Sequence, residues 1–138
     1  MSFVLDSSMA LSWCFTDEQT PESLEVLKLS KTRAVFVPLL WHLEMANVLG
    51  ISFRKGRLSG DDLSLALKVF AALEIHTDAL VHEIRKSLLL PLMQAFSLTA
   101  YDAVYLELAM RLNLPLATLD AALLAAAKQA GASVLYHP

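Results

Sequence analysis

Cysteine is almost absent, since Cys14 is the only one in 138 residues. An internal disulfide is therefore impossible, and a zinc cluster of several thiolates is excluded. Both points favour a cytoplasmic location. Long apolar runs are missing too. Charge interrupts each of them before it reaches about 18–20 residues, so no membrane-spanning helix is expected. The opening Phe3-Val4-Leu5-Asp6 has no basic stretch, extended apolar core or small-residue cleavage site. A secretory leader is not expected either. Basic charge is scarce, and the formal net charge is −3. That argues against a nonspecific nucleic-acid coat, but not against an enzyme that handles a phosphodiester at one local site.

Sharper motifs are lacking as well. There is no phosphate-cradling GxxxxGK[ST] and no GxGxxG after a strand. No GxSxG elbow is present, so the Ser7-Ser8 pair does not read as a hydrolase nucleophile. His42 and Glu44 form HLE, but no PCxxC follows, which excludes the zinc-deaminase pattern. His76, His82 and His137 are scattered and read as ordinary surface or core histidines.

What is present is a core. Hydrophobic residues make up 56% and charged residues 18%, as expected for one folded domain over residues 1–138. No repeat, low-complexity tract or linker interrupts it. Phe3 to Leu5 reads as a buried strand, followed by a helix from Ser7-Ser8. PESLEVLKLS is a helix opened by Pro21, where a missing N–H does no harm. AVFVP is a strand, and the proline-free stretch from Leu39 to Arg54 a long helix. A helix from Gly60-Asp61-Asp62 towards Leu73 follows, then the short strand EIHT. Asp78 to Leu90 reads as a helix interrupted or bent by Pro91. Thr99 to Arg111 is helical, LPLATL a strand, and Asp120 to Gln129 an alanine-rich helix capped by Gly131. SVLYH closes the chain as a last strand. Short strands alternating with helices predict an α/β fold, a mainly parallel sheet covered on both faces.

Four acids stand out against this frame. Asp6 ends the first strand, and Asp120 ends Leu116-Ala117-Thr118-Leu119 in the same way. Asp102 falls in the first turn of its helix and Glu44 in the first two turns of the helix after AVFVP. Open parallel sheets bind ligands outside the carboxyl ends of their strands, so all four belong to one edge. Brought together they would repel and raise one another's pKa values. A divalent cation would resolve the conflict, and oxygen-only ligands favour magnesium or manganese over zinc. Capping competes as an explanation: Asp120 fits a helix cap, and Thr99 with Asp102 resembles a capping box. Glu44 is harder to assign to a surface, because Leu40, Trp41, Asn47 and Val48 are its helical neighbours.

With these acids in place, the chain resembles the PIN-domain ribonucleases, particularly the VapC-type toxins of toxin–antitoxin pairs. FVLDSSMALSWCF is similar to the family's opening strand, first aspartate and following helix. VPLLWHLEMANVL is similar to its glutamate-bearing helix, LTAYDAVYLELA to the segment with the third acid, and LPLATLDAALLAAA to that with the fourth. The resemblance implies a single-domain PIN-like fold and a Mg2+- or Mn2+-dependent endoribonuclease. Asp6, Glu44, Asp102 and Asp120 would surround one or two metal ions. Asp6 and Asp102 would be the central ligands, while Glu44 and Asp120 bind or orient a metal and the attacking water. Ser8 and Thr118 match hydroxyl positions that support the carboxylates from behind. A homodimer, a silencing antitoxin and an RNA substrate are also implied.

One position departs from the resemblance. Ser12 stands before Trp13, where related toxins frequently carry a basic residue, so phosphate contact would fall to other cations. Arg54, Lys55 and Arg57 form one candidate group, and Lys31 with Arg33 a second. Trp13, Phe15, Trp41 and Phe53 exceed what a small core obviously needs, and at least half of them are expected inside. Two rival readings stay open. One is a catalytically silent PIN-like module that binds RNA or protein. The other is a receiver-like domain phosphorylated at Asp6, although the paired acids and later lysine of that class are not evident.

Overall fold

The computed structural model describes residues 1–79 and 82–135, with the backbone alone for 82–85. Four short strands, β1 (Phe3–Leu5), β2 (Val35–Val37), β3 (Ile75–Thr77) and β4 (Leu116–Ala117), form one parallel sheet in the order β3-β2-β1-β4. The helices are α1 (Ser7–Ser12), α2 (Pro21–Ser30), α3 (Leu39–Arg54), α4 (Gly60–Ala71), α5 (His82–Phe96), α6 (Ala100–Leu112) and α7 (Ala121–Gln129). The fold is α/β, as expected.

The strand sequences explain the layering. Phe3, Val4 and Leu5 are all fully buried. Successive strand residues point to opposite faces, so burial of all three means that both faces of β1 are covered. Tyr105, Leu106 and Leu108 of α6 join the same core, as do Leu123 and Ala127 of α7. Polar residues set the helix starts. Thr20 and Ser23 form a reciprocal capping box on α2, and Ser59 and Asp62 form another on α4. Such a cap contributes about 1 kcal/mol. Asn113, with φ of 54°, ends α6 in the left-handed conformation that Asn tolerates. Trp13, Phe15 and Trp41 are buried, whereas Phe53 is half-exposed.

Two expectations need correction. Pro91 lies inside α5 and does not end it; the helix, described from His82, continues to Phe96. A proline removes one ladder hydrogen bond. Helix α5 lies along α6 and buries Leu89, and this packing holds the helix through the gap. Among the described residues the final strand is reduced to one bridge. Leu116 pairs in parallel with Val134, through Leu116 N to Ser133 O at 2.9 Å and Leu135 N to Leu116 O at 2.9 Å. Residues 136 and 137 of that expected strand lie outside the described residues. Among the described residues no helix is long and apolar enough to cross a membrane.

Candidate functional site

Chain order and sheet order part company beside β1. The connection from β1 leads to β2 and then β3 on one side, and the chain returns to place β4 on the other. This is a topological switch point, where the carboxyl ends of adjacent parallel strands leave a crevice. Val4 pairs with Leu116 and Leu5 with Ala117, so Asp6 and Thr118 leave the sheet side by side. The backbone confirms the register, with Asp6 N donating to Ala117 O at 3.0 Å.

Asp6 is only 4% exposed. Its Oδ2 accepts hydrogen bonds from Ser8 Oγ and Thr118 Oγ1, each at 2.6 Å. Burial pushes the carboxyl upward in pKa, these hydroxyls pull it down, and the Asp120 charge pushes it up again. Ser8 also accepts from Leu119 N at 3.0 Å, and Thr118 from Asp120 N at 3.0 Å. Both hydroxyls thus tie Asp6 to the β4–α7 turn.

The capping question separates the other two aspartates. Asp120 does cap α7: its Oδ1 accepts from Leu123 N at 2.8 Å. Its Oδ2 has no hydrogen bond among the described residues. Asp102 gives the opposite answer. Thr99 Oγ1 accepts from Asp102 N at 3.3 Å, but the Asp102 carboxylate does not return the bond to the Thr99 backbone, and it makes no other hydrogen bond among the described residues. The expected capping box is therefore half-formed. Burial raises the Asp102 pKa to about 6, with further contributions from the charges of Asp120, Asp6 and Glu44. Asp102 is close enough to the other three acids to feel their charge.

Glu44 projects from the second turn of α3, half-buried. Its Oε1 accepts from Ser7 Oγ at 3.1 Å and from Tyr105 Oη at 2.5 Å. Burial raises its pKa, the two hydroxyls lower it, and Asp6 raises it. Ser7 and Tyr105 were not singled out from the sequence. The only available signal was spacing: Tyr105 lies one turn after Asp102 on the same face of α6. Burial and its bond to Glu44 raise the Tyr105 pKa, so the phenol remains a donor.

No Lys, Arg or His forms an ion pair with any of the four acids among the described residues. Their oxygen-only donor set fits a hard divalent cation. Among the described residues no three His, Cys, Asp or Glu side chains sit close enough together to form a preformed metal cage. His42 and His76 make their contacts elsewhere. His42 Nε2 is 2.8 Å from Thr77 Oγ1, and His76 stacks on Phe36. The side chain of His82 and all of His137 lie outside the described residues.

The cationic candidates are not gathered at this edge. Arg54 is ten residues beyond Glu44 on α3, about 15 Å along the helix axis. Arg57 is engaged locally, with Nη2 at 3.0 Å from Asp17 Oδ2 and 2.7 Å from Glu18 Oε2, and its guanidinium 3.9 Å above the Phe15 ring. Arg54 and Lys55 make no ion pair among the described residues.

A four-stranded parallel sheet with carboxylates grouped at its topological switch point defines a class of domain, and comparison identifies it. The PIN domain model matches residues 3–137, and the chain belongs to the PIN domain family. Members of this family are typically nucleases and generally use divalent metal ions. Among solved structures, PAE2754 from Pyrobaculum aerophilum is similar, with 25% identity and a TM-score of 0.64 over 91% of this chain and 79% of that one. VapBC2 from Rickettsia felis, bound to a DNA fragment from their promoter, shares the fold at 13% identity, with a TM-score of 0.66 over 99% and 98% of the two chains. No curated protein matches significantly by sequence.

Proposed function

We propose that this protein is a metal-dependent endoribonuclease and the toxin of a VapBC-type toxin–antitoxin pair, with residues 1–138 acting as one PIN-like domain. The observation that carries the reading is geometric: Asp6 leaves β1 at the switch point, hydroxyls hold one oxygen of Asp6 and one of Glu44, and none of Asp6, Glu44, Asp102 and Asp120 has an ion-pair partner among the described residues. Such a group suits a divalent cation, Mg2+ or Mn2+. When bound, the cation would offset the repulsion, activate water and shield phosphate oxygens. Asp6 and Asp102 would hold it, with Glu44 and Asp120 completing the set or orienting water. Ser8 and Thr118 keep the Asp6 carboxylate in one orientation. The fold shared with VapBC2 supports an antitoxin partner for this chain; a homodimer and a cytoplasmic setting belong to the same toxin reading.

The test compares wild type with Asp102→Asn on a structured RNA pool in Mg2+, in Mn2+ and in chelator, with both proteins shown to fold alike. Metal-dependent cleavage by wild type alone is expected. The lack of a preformed cage favours one second reading, a silent PIN-like module that binds RNA or protein. RNA binding and metal binding without cleavage in either ion would select it.

A further inference from the structure

Two hydroxyls converge on one oxygen of Glu44 and leave the other without a protein partner. Oε1 accepts from Ser7 Oγ at 3.1 Å and from Tyr105 Oη at 2.5 Å, whereas Oε2 has no hydrogen bond among the described residues. The donors are well anchored. Tyr105 is 1% exposed and its ring belongs to the core, so its hydroxyl cannot follow Glu44 if the carboxylate turns. Ser7 is buried as the first residue of α1. Each donor also adjoins another acid of the group, Ser7 directly after Asp6 and Tyr105 one helical turn after Asp102. Three segments that carry acids are therefore joined at a single oxygen atom.

The same device recurs at Asp6. Ser8 and Thr118 both donate to Oδ2, so that side-chain hydroxyls occupy one oxygen of this carboxylate as well. Carboxylate denticity discriminates between hard cations. Ca2+ takes six to eight oxygens and readily accepts a carboxylate through both of them. Mg2+ requires a compact octahedron and takes single oxygens, with water in the remaining positions. A glutamate with one oxygen held by two buried hydroxyls can offer only the other to a cation.

We propose that Tyr105 and Ser7 are positioning residues that restrict Glu44 to ligation through Oε2, and so bias the site towards a small six-coordinate cation and against Ca2+. This inference rests on the metal-binding reading above. It concerns which cation the site prefers, and it does not require the RNA target to be known.

The probe is Mn2+, titrated by electron paramagnetic resonance into the full-length, chelator-stripped protein, with Ca2+ as competitor. Wild type, Tyr105→Phe and Ser7→Ala are compared, and folding is checked by circular dichroism. Tyr105→Phe removes one of the two donors to Oε1, and the preference for Mn2+ over Ca2+ is expected to fall by several-fold, within the roughly tenfold change in metal affinity that loss of an outer-sphere partner brings. Ser7→Ala is expected to shift the preference in the same direction, and it carries the test if Tyr105→Phe does not fold. A merely structural role would weaken both ions equally. An unchanged Mn2+/Ca2+ preference in the folded variants, with Mn2+ bound by wild type, would overturn this inference and leave the metal reading standing. Failure of wild type to bind Mn2+ would overturn both.

Discussion

Thr118, the residue after β4, donates its hydroxyl to Oδ2 of Asp6, the residue after β1, at 2.6 Å. Parallel pairing of Leu5 with Ala117 brings them together across 112 positions of sequence. Thr118→Val keeps the shape and removes the donor. Mn2+ affinity should fall about tenfold. Stability should fall by about 1–2 kcal/mol, because the buried carboxylate and Asp120 N each lose a partner. Calorimetric Mn2+ titration and thermal melting measure the two effects separately.

Acid repulsion should be visible in the metal-free protein as a pH dependence. The Asp102 pKa rises from 3.8 to about 6 on folding, so the folded state holds its proton more tightly than the unfolded chain does. Stability from this group is therefore full below about pH 4 and is lost as the pH rises towards 6. In chelator, Tm should fall across that window, and Asp102→Asn should flatten the fall. Mn2+ should restore Tm above pH 6 in wild type more than in the variant.

RNA affinity should depend on the divalent ion as well as cleavage. The formal charge is −3, and the four acids supply −4, leaving the remainder at +1. Without a cation, the acid edge repels phosphate. Filter binding of a structured RNA pool to wild type should weaken in chelator. Equal affinity in chelator and in Mg2+ would sink this part of the mechanism.

The basic group after α3 should divide in function. Arg57→Ala should lower Tm by releasing Asp17, Glu18 and Phe15, with RNA affinity little changed. Arg54→Ala with Lys55→Ala should weaken RNA binding and reduce its salt dependence, since each lost phosphate contact lowers the slope by about one. A salt series on the purified proteins distinguishes the two outcomes.

Much of the scaffold was legible in the chain itself. Phe3 to Leu5 could hardly be other than a buried strand, and Pro21 and the periodicity from Leu39 to Arg54 marked helices whose bounds match the fold. These signals are local, because helix period and turn chemistry act within a few residues. The placement of Asp6 at the end of β1 followed from the same kind of evidence, whereas β4 stops at Ala117 and Asp120 stands three residues beyond it, at the start of α7. Helix α5 was misjudged at Pro91 because its continuation depends on packing against α6, which no local rule contains.

The sequence by itself determined the residue types of the acid edge, the alternation of strands and helices, and the exclusion of disulfide and multi-thiolate zinc chemistry. Only the tertiary structure decided what each carboxylate does. Asp120 caps its helix, while Asp102 leaves its capping box open and couples to the other acids. Asp6 is held by Ser8 and Thr118, and Glu44 by Ser7 and Tyr105. These partners lie up to 112 positions apart. The register of parallel strands and the facing of α1, α3 and α6 set their distances, and hydrogen bonds need atoms placed within a few tenths of an ångström.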